Sequence, residues 1–195
     1  MSVPRIVGWT LIACLAGAIA FLAATIRVIE PQPQASPAAI PEPAGDGPAP
    51  ALIIPVAGVE AATLRSNWGE LRGGGTRGHQ GLDVMAPAGT PVIAAADGVV
   101  EKRYFSKGGG GITLYQRAGH WMLYYAHLQG YAPGIVEGRQ VRAGETLAYV
   151  GDTGNAGTGN THLHFGVARM APGQGWWQGT PVDPYPLLAG GASGR

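Results

Sequence analysis

Glycine and proline set what this chain can fold into. Between residues 52 and 188 they recur at short intervals, leaving strand-length apolar runs at 91–95, 98–104, 112–116, 121–127, 146–150 and 163–168. Inside a helix, glycine costs roughly 1 kcal/mol and proline roughly 3 kcal/mol relative to alanine. No window sustains a 3.6-residue apolar period, so the spacing predicts an all-β domain of antiparallel strands. Arg117-Ala118-Gly119 predicts a hairpin turn between two of them. Charged residues are only 13% of the sequence, with 33 glycines and 16 prolines. That balance suits a turn-rich β domain with an appendage, not a helical bundle.

The N-terminal residues read differently. Residues 6–26 carry no charge and are dominated by Ile, Leu, Ala, Phe and Val, and about 20 apolar residues suffice to cross a bilayer as a helix. Arg5 precedes the run, while Arg27 and Glu30 roughly cancel after it, which favours a cytoplasmic N-terminus and an exported remainder. We read 1–30 as an uncleaved membrane anchor. A signal segment cleaved after Ala18-Ile19-Ala20, or lipidation of Cys14 in Leu11-Ile12-Ala13-Cys14, are the alternatives. All three put the remainder outside the cytoplasm, in the cell envelope. Residues 31–51 form a Pro/Ala-rich linker, extended at about 3.1 Å per residue. A folded domain over 52–188 and a frayed tail over 189–195 complete the expected organisation.

Chemistry concentrates at Thr161-His162-Leu163-His164-Phe165. Side chains at i and i+2 of a strand share a face, with Cα atoms about 6.5–7 Å apart. His162 and His164 therefore suit a metal site or a proton-transfer pair. Upstream, His79 and Asp83 lie four positions apart, on one face of a helix or strand alike, and Gly81 between them favours a strand or turn. Trp121, Leu123, Tyr125 and His127 are expected to share one face of a strand that His127 closes. His120, in the preceding turn, is read as solvated and outside the site.

Taken singly, each histidine reads as a hydrogen-bonded structural residue. Together they supply two imidazoles and a carboxylate for Zn²⁺, the three-ligand set of catalytic zinc with an open fourth position. Two histidines remain as base and oxyanion donor. Spacing alone leaves open which three residues bind the metal. The single cysteine, Cys14, excludes an intrachain disulfide and a cysteine-based zinc cluster. A formal net charge of +1 with no basic block argues against nucleic acid as a partner.

Gly78-His79-Gln80-Gly81-Leu82-Asp83, Tyr125-Ala126-His127-Leu128 and His162-Leu163-His164-Phe165 resemble, in this order, the motifs of the lysostaphin-type (LytM-like) zinc metallopeptidases. These are peptidoglycan endopeptidases of bacterial envelopes. Ala88-Gly89-Thr90-Pro91-Val92, Ala96-Asp97-Gly98-Val99-Val100, Val141-Arg142-Ala143-Gly144-Glu145 and Thr153-Gly154-Asn155 are also similar to the family's connecting segments, so the resemblance covers residues 67–188. It implies that His79, Asp83 and His164 ligate Zn²⁺ and that His127 and His162 are the catalytic pair. They would activate the water and stabilise the tetrahedral intermediate. It implies a small antiparallel β-sandwich of the duplicated hybrid motif type, grooved over the metal, and a peptidoglycan peptide (cross-link or stem) as substrate. Thr161 departs from the pattern, since many members have proline there. Trp176-Trp177 either walls the groove or caps the sandwich, and we read it as packing.

Two other readings compete. Relatives of this fold that lose zinc ligands act as regulators of other envelope hydrolases, but here no motif residue is missing. Gly98-Val99-Val100-Glu101-Lys102 resembles half of a lipoyl or biotinyl carrier, yet a carrier has no use for paired histidines, and Lys102 reads as a solvated strand residue.

Overall fold

The computed structural model describes residues 51–72 and 74–189. Its strands are β1 (Leu71–Arg72), β2 (Arg77–Gly78), β3 (Leu82–Met85), β4 (Pro91–Ile93), β5 (Gly98–Ser106), β6 (Gly111–Ala118), β7 (Trp121–Tyr131), β8 (Gln140–Val141), β9 (Thr146–Val150), β10 (His162–Arg169) and β11 (Thr180–Val182). Helix is confined to a 3-10 turn at Ala61–Thr63 and one short helix, α1 (Pro184–Ala189), among the described residues. The domain is mostly β-sheet, as the glycine and proline spacing predicts. The expected anchor (1–30) and nearly all of the linker (31–51) and tail (189–195) lie outside the described residues. Among those described, no helix is long and apolar enough to cross a membrane.

β1 and β2 form a separate hairpin. The other nine strands make one sheet in the order β11-β10-β7-β6-β5-β8, with β3 beside β10 and β9 joining β4 to β7. The β6–β7 turn is Gly119-His120, with Ala118 opposite Trp121 and Gly119 at φ 61°. It falls one residue later than Arg117-Ala118-Gly119 suggests, because Ala118 is still paired.

Alternation along the central strands builds the core. Leu163, Phe165 and Val167 of β10, Leu123 and Tyr125 of β7 and Leu114 of β6 are buried with Leu82, Val84, Val92, Leu147 and Val150. Each such side chain contributes about 1.5–3 kcal/mol by leaving water. Within this apolar mass Tyr125 and Gln116 are wholly buried and paired. The Tyr125 hydroxyl donates to Gln116 Oε1 (2.6 Å) and accepts the Ala95 N–H (3.0 Å), while Gln116 Nε2 donates to the Ala96 carbonyl (2.6 Å). The clip ties the loop between β4 and β5 to the middle of the sheet. Lys102 sits mid-strand in β5, its ammonium 3.1 Å from Glu137 in the turn before β8, which is a solvated pair and not the tip of a carrier turn.

β7 breaks its alternation. Up to Ala126 it pairs with β10, and from Leu128 it pairs with β9. The register with β6 shifts over the same stretch. His127 occupies this bulge at φ 61°, the one non-glycine residue with positive φ among those described. An extra residue in a strand turns the following side chain to the opposite face. His127 therefore does not share the face of Leu123 and Tyr125, as strict alternation would have it. Those two lie in the core, whereas His127 opens into a groove with Met122 and Tyr124. The strand also continues past His127 to Tyr131.

Candidate metal centre

β3 and β10 pair with Asp83 directly opposite His164, so the carboxylate and imidazole leave the same face of adjacent strands, about 5 Å apart at Cβ. His79 is fixed just before β3: its N–H donates to the Glu70 carbonyl (2.8 Å), and its own carbonyl accepts the Gly69 N–H (2.9 Å). His79 Nε2 then lies 3.0 Å from Asp83 Oδ1 and 2.9 Å from His164 Nδ1, and the last two are 3.0 Å apart.

The protons decide what this triangle is. His79 Nδ1 donates to the Asn67 carbonyl at 2.9 Å, so in the neutral ring Nε2 offers a lone pair. Its contact with Asp83 Oδ1 then sets lone pair against lone pair, and one proton on His164 cannot relieve all three contacts. Such a donor set fits a divalent metal ion. With ligand bonds of about 2.0–2.1 Å, tetrahedral donors sit roughly 3.3 Å apart, close to the spacings here. A backbone carbonyl holding the far nitrogen of a ligand histidine is the usual second support of such a site.

Asp83 presents a single oxygen. Its Oδ2 accepts from Asn67 Nδ2 (3.0 Å) and Arg72 Nη2 (2.9 Å), which leaves Oδ1 for the triangle. Burial opposes ionisation, but the close imidazoles of His164 and His79 hold the carboxyl well below the usual carboxylate range. Burial pushes His164 down, against the pull of Asp83.

The other two sequence-predicted histidines stand beside the triangle. His162 Nδ1 donates to the Asn160 carbonyl (2.9 Å), and its Nε2 is 3.8 Å from Asp83 Oδ1. His127 Nδ1 donates to the Thr153 carbonyl (2.8 Å), and its ring centroid is 4.8 Å from that of His162 and 5.9 Å from that of His164. Burial, with the neighbouring imidazoles His162 and His164, pushes His127 down to about 4 against the Thr153 carbonyl. All five residues line one groove of about 800 Å³. His120 is not among its lining residues, as expected from its place in the turn.

A model of peptidase family M23 matches residues 77–184, more than half of the chain and every residue of this constellation. The chain belongs to peptidase family M23. It is 38% identical over 132 residues to L-Ala–D-Glu endopeptidase of Bacillus subtilis, covering 65% of this chain and 39% of that protein. It is 37% identical over 92 residues to peptidoglycan DD-endopeptidase ShyC of Vibrio cholerae, covering 47% of this chain and 20% of that protein. Among solved structures it is similar to the catalytic domain of the antimicrobial peptidase lysostaphin from Staphylococcus simulans. That likeness has a TM-score of 0.54 and 28% identity, and covers 66% of this chain and 94% of that one. The chain thus spans well under half the length of these two curated relatives.

Sequence reasoning misses several residues that build this M23 site. Asn67 supports both His79 and Asp83, Arg72 holds Asp83 Oδ2, and Thr153 braces His127. Thr153 Oγ1 donates to the Leu128 carbonyl (2.8 Å) and accepts the Ile112 N–H (2.9 Å), so the carbonyl that orients His127 is itself fixed. Nothing local in the sequence marks Asn67 or Arg72, and the Thr153-Gly154-Asn155 resemblance marks a segment without its role, because each acts only once distant loops meet. Thr161, the departure from the family pattern, donates to the Ala86 carbonyl (3.0 Å) and ties the approach to β10 onto the end of β3. Trp176 and Trp177 both line the groove, so they wall it as well as pack: Trp176 rests against Tyr104 and Tyr115, while Trp177 is exposed.

Proposed function

We propose that this M23 chain is an exported zinc metalloendopeptidase that hydrolyses peptide bonds of peptidoglycan, in cross-links or stem peptides. The reading rests on one observation above the others, the lone-pair triangle of His79, Asp83 and His164 beside two further imidazoles in a single groove. The relative named peptidoglycan DD-endopeptidase supplies the substrate class, and the one named L-Ala–D-Glu endopeptidase agrees with a peptide bond as the target. In this reading His79, Asp83 and His164 hold the ion, and His127 and His162 are the catalytic pair. The sheet closes as a small antiparallel β-sandwich of the duplicated hybrid motif type. Residues 1–30 tether the domain to the membrane from outside the cytoplasm, supported by the uncharged run over 6–26.

A zinc ion supplies Lewis acidity, polarising a carbonyl and bringing the pKa of a water toward ~7. The protein's part follows from its tautomers. The Thr153 and Asn160 carbonyls only accept, so His127 and His162 keep their protons on Nδ1 and turn Nε2 lone pairs to the groove. His127 is held neutral at pH 7 by its burial, so its Nε2 lone pair is available to the groove. Once protonated, either ring becomes a donor to the developing oxyanion or the departing amine.

The test is to incubate purified sacculi with the full chain, with and without a chelator, and to identify released fragments by mass spectrometry. Chelator-sensitive peptide release is expected. His162→Ala should keep stoichiometric zinc and lose turnover, while His164→Ala should lose the metal. No chelator-sensitive release would end the reading, and the opposite retention pattern would reverse the ligand assignment.

A further inference from the structure

The aromatic rings in and beside the groove form a connected strip. It starts at His164, whose ring centroid is 5.8 Å from that of Tyr124. Tyr124 lies 4.7 Å from Tyr115, Tyr115 4.6 Å from Trp176, and Trp176 5.2 Å from Trp177. Tyr104 braces Trp176 from the side at 5.6 Å. The strip therefore runs from the metal triangle outward and ends on an indole that is 66% exposed. Trp177 has its place because Gly175 has no side chain: a Cβ there would lie 2.5 Å from the indole ring.

Leaving so much indole in water forgoes the stabilisation that burying a large apolar side chain contributes, and core packing does not require it. The charge distribution says what should cover it. Besides its histidines, the ionic side chains that line the groove are Arg72, Arg77 and Asp83 among the described residues, all from the β1–β3 part of the chain. The segment carrying the tryptophans contributes Trp176, Trp177, Gly179 and Pro181, none of them charged. A neutral ligand with one C–H-rich face and polar edges matches such a surface better than an acidic peptide does. A pyranose ring has that shape and polarity. In a peptidoglycan substrate it is attached to the peptide that would enter the triangle.

We propose that Tyr115, Trp176 and Trp177 form a saccharide-stacking subsite, which holds an uncharged N-acetylhexosamine ring of the glycan strand while the attached peptide lies over the metal triangle. This inference rests on the peptidoglycan reading. It adds that the enzyme prefers stem peptides still bearing sugar to sugar-free peptides.

The probe is the β-1,4-linked tetramer of N-acetylglucosamine, titrated calorimetrically into the full chain and into Trp177→Ala and Trp177→Phe. A parallel assay compares kcat/KM on one muropeptide with and without its disaccharide. Aromatic contacts of this kind predict that Trp177→Ala weakens tetramer binding about fivefold or more and lowers the kcat/KM ratio by a similar factor, with partial recovery in Trp177→Phe. Unchanged binding, or an equal loss on both substrates, would overturn the subsite, the second result by reassigning the strip to peptide. Tetramer binding that depends on Trp177 in a chain that cuts no sacculus would sustain the subsite while the hydrolase reading fails, so the two are separable.

Discussion

Gly81→Ala is the substitution that tests the site most directly. A Cβ at Gly81 would lie 2.5 Å from His164 Cε1, 2.6 Å from His164 Nε2 and 2.9 Å from the Phe165 carbonyl oxygen. Carbon atoms rest about 3.5–4.0 Å apart, so the ring must retreat by about 1 Å. Phe165 cannot move with it, since it is wholly buried and paired to Leu82 on one side and Tyr125 on the other. The displacement therefore falls on His164, and metal bonds tolerate only about 0.2 Å. We expect zinc affinity to fall at least about 100-fold, the upper end of what losing a single outer support costs, or about 2.7 kcal/mol. Overpacking should cost the metal-free fold about 1–3 kcal/mol. Competition against a chromophoric chelator measures the first effect, and urea unfolding with chelator present measures the second. Zinc-dependent stabilisation should shrink by the same 2.7 kcal/mol or so at fixed excess metal. Gly130→Ala is the control, because nothing lies within 4 Å of a Cβ there. Wild-type zinc affinity in Gly81→Ala would refute the account of how His164 is held.

Two further outcomes follow from the fold and its charges. Tyr125→Phe strands the Ala95 N–H and Gln116 Oε1 inside the core and should cost about 1–3 kcal/mol in urea unfolding; a change under a few tenths would mean that water replaces the hydroxyl. His127 titrates at about 4 in the fold against about 6.5 in the unfolded chain, so on acidification the unfolded state takes up the proton first. Its contribution is complete above about pH 6.5 and is lost as pH falls toward 4, at most about 3 kcal/mol. His127→Gln should flatten that part of the chelator-treated stability curve, and an unchanged slope would place the titration elsewhere.

Strand period and residue chemistry made part of this site legible. On β10 the alternation of His162 and His164 with Leu163 and Phe165 needs only the two-residue period, and the structure keeps it. The four-residue spacing of His79 and Asp83 likewise survives, although the turn into β3 and not a regular strand brings them together. His127 is different. Tyr125-Ala126-His127-Leu128 itself has no glycine or proline to announce a bulge, the nearest being Gly130 three residues past the imidazole, and simple alternation puts the imidazole in the core. What moves it is the change of partner from β10 to β9, a property of the whole sheet. Asn67 and Arg72 were invisible for a related reason: their value lies in reaching Asp83 Oδ2 across a hairpin. Trp177 shows the limit of hydrophobicity as a guide, since an apolar residue type does not reveal which face meets solvent.

The difference in duty proposed for His162 and His164 lies outside their own spacing. Both leave β10 on one face, two residues apart, so strand geometry makes them equivalent. Their surroundings do not. The Asn160 carbonyl takes the Nδ1 proton of His162 and turns its Nε2 toward the groove. Beside His164, the missing side chain of Gly81 leaves room for the Cε1–Nε2 edge and brings Nδ1 into the triangle with His79 and Asp83. One ring is thus presented through the nitrogen far from the backbone and the other through the near one. Exchanging the two roles would require moving a carbonyl and filling a glycine, not swapping histidines. On the proposed assignment, the division between a ligand and a proton carrier is therefore written in Asn160 and Gly81 as much as in the imidazoles they orient.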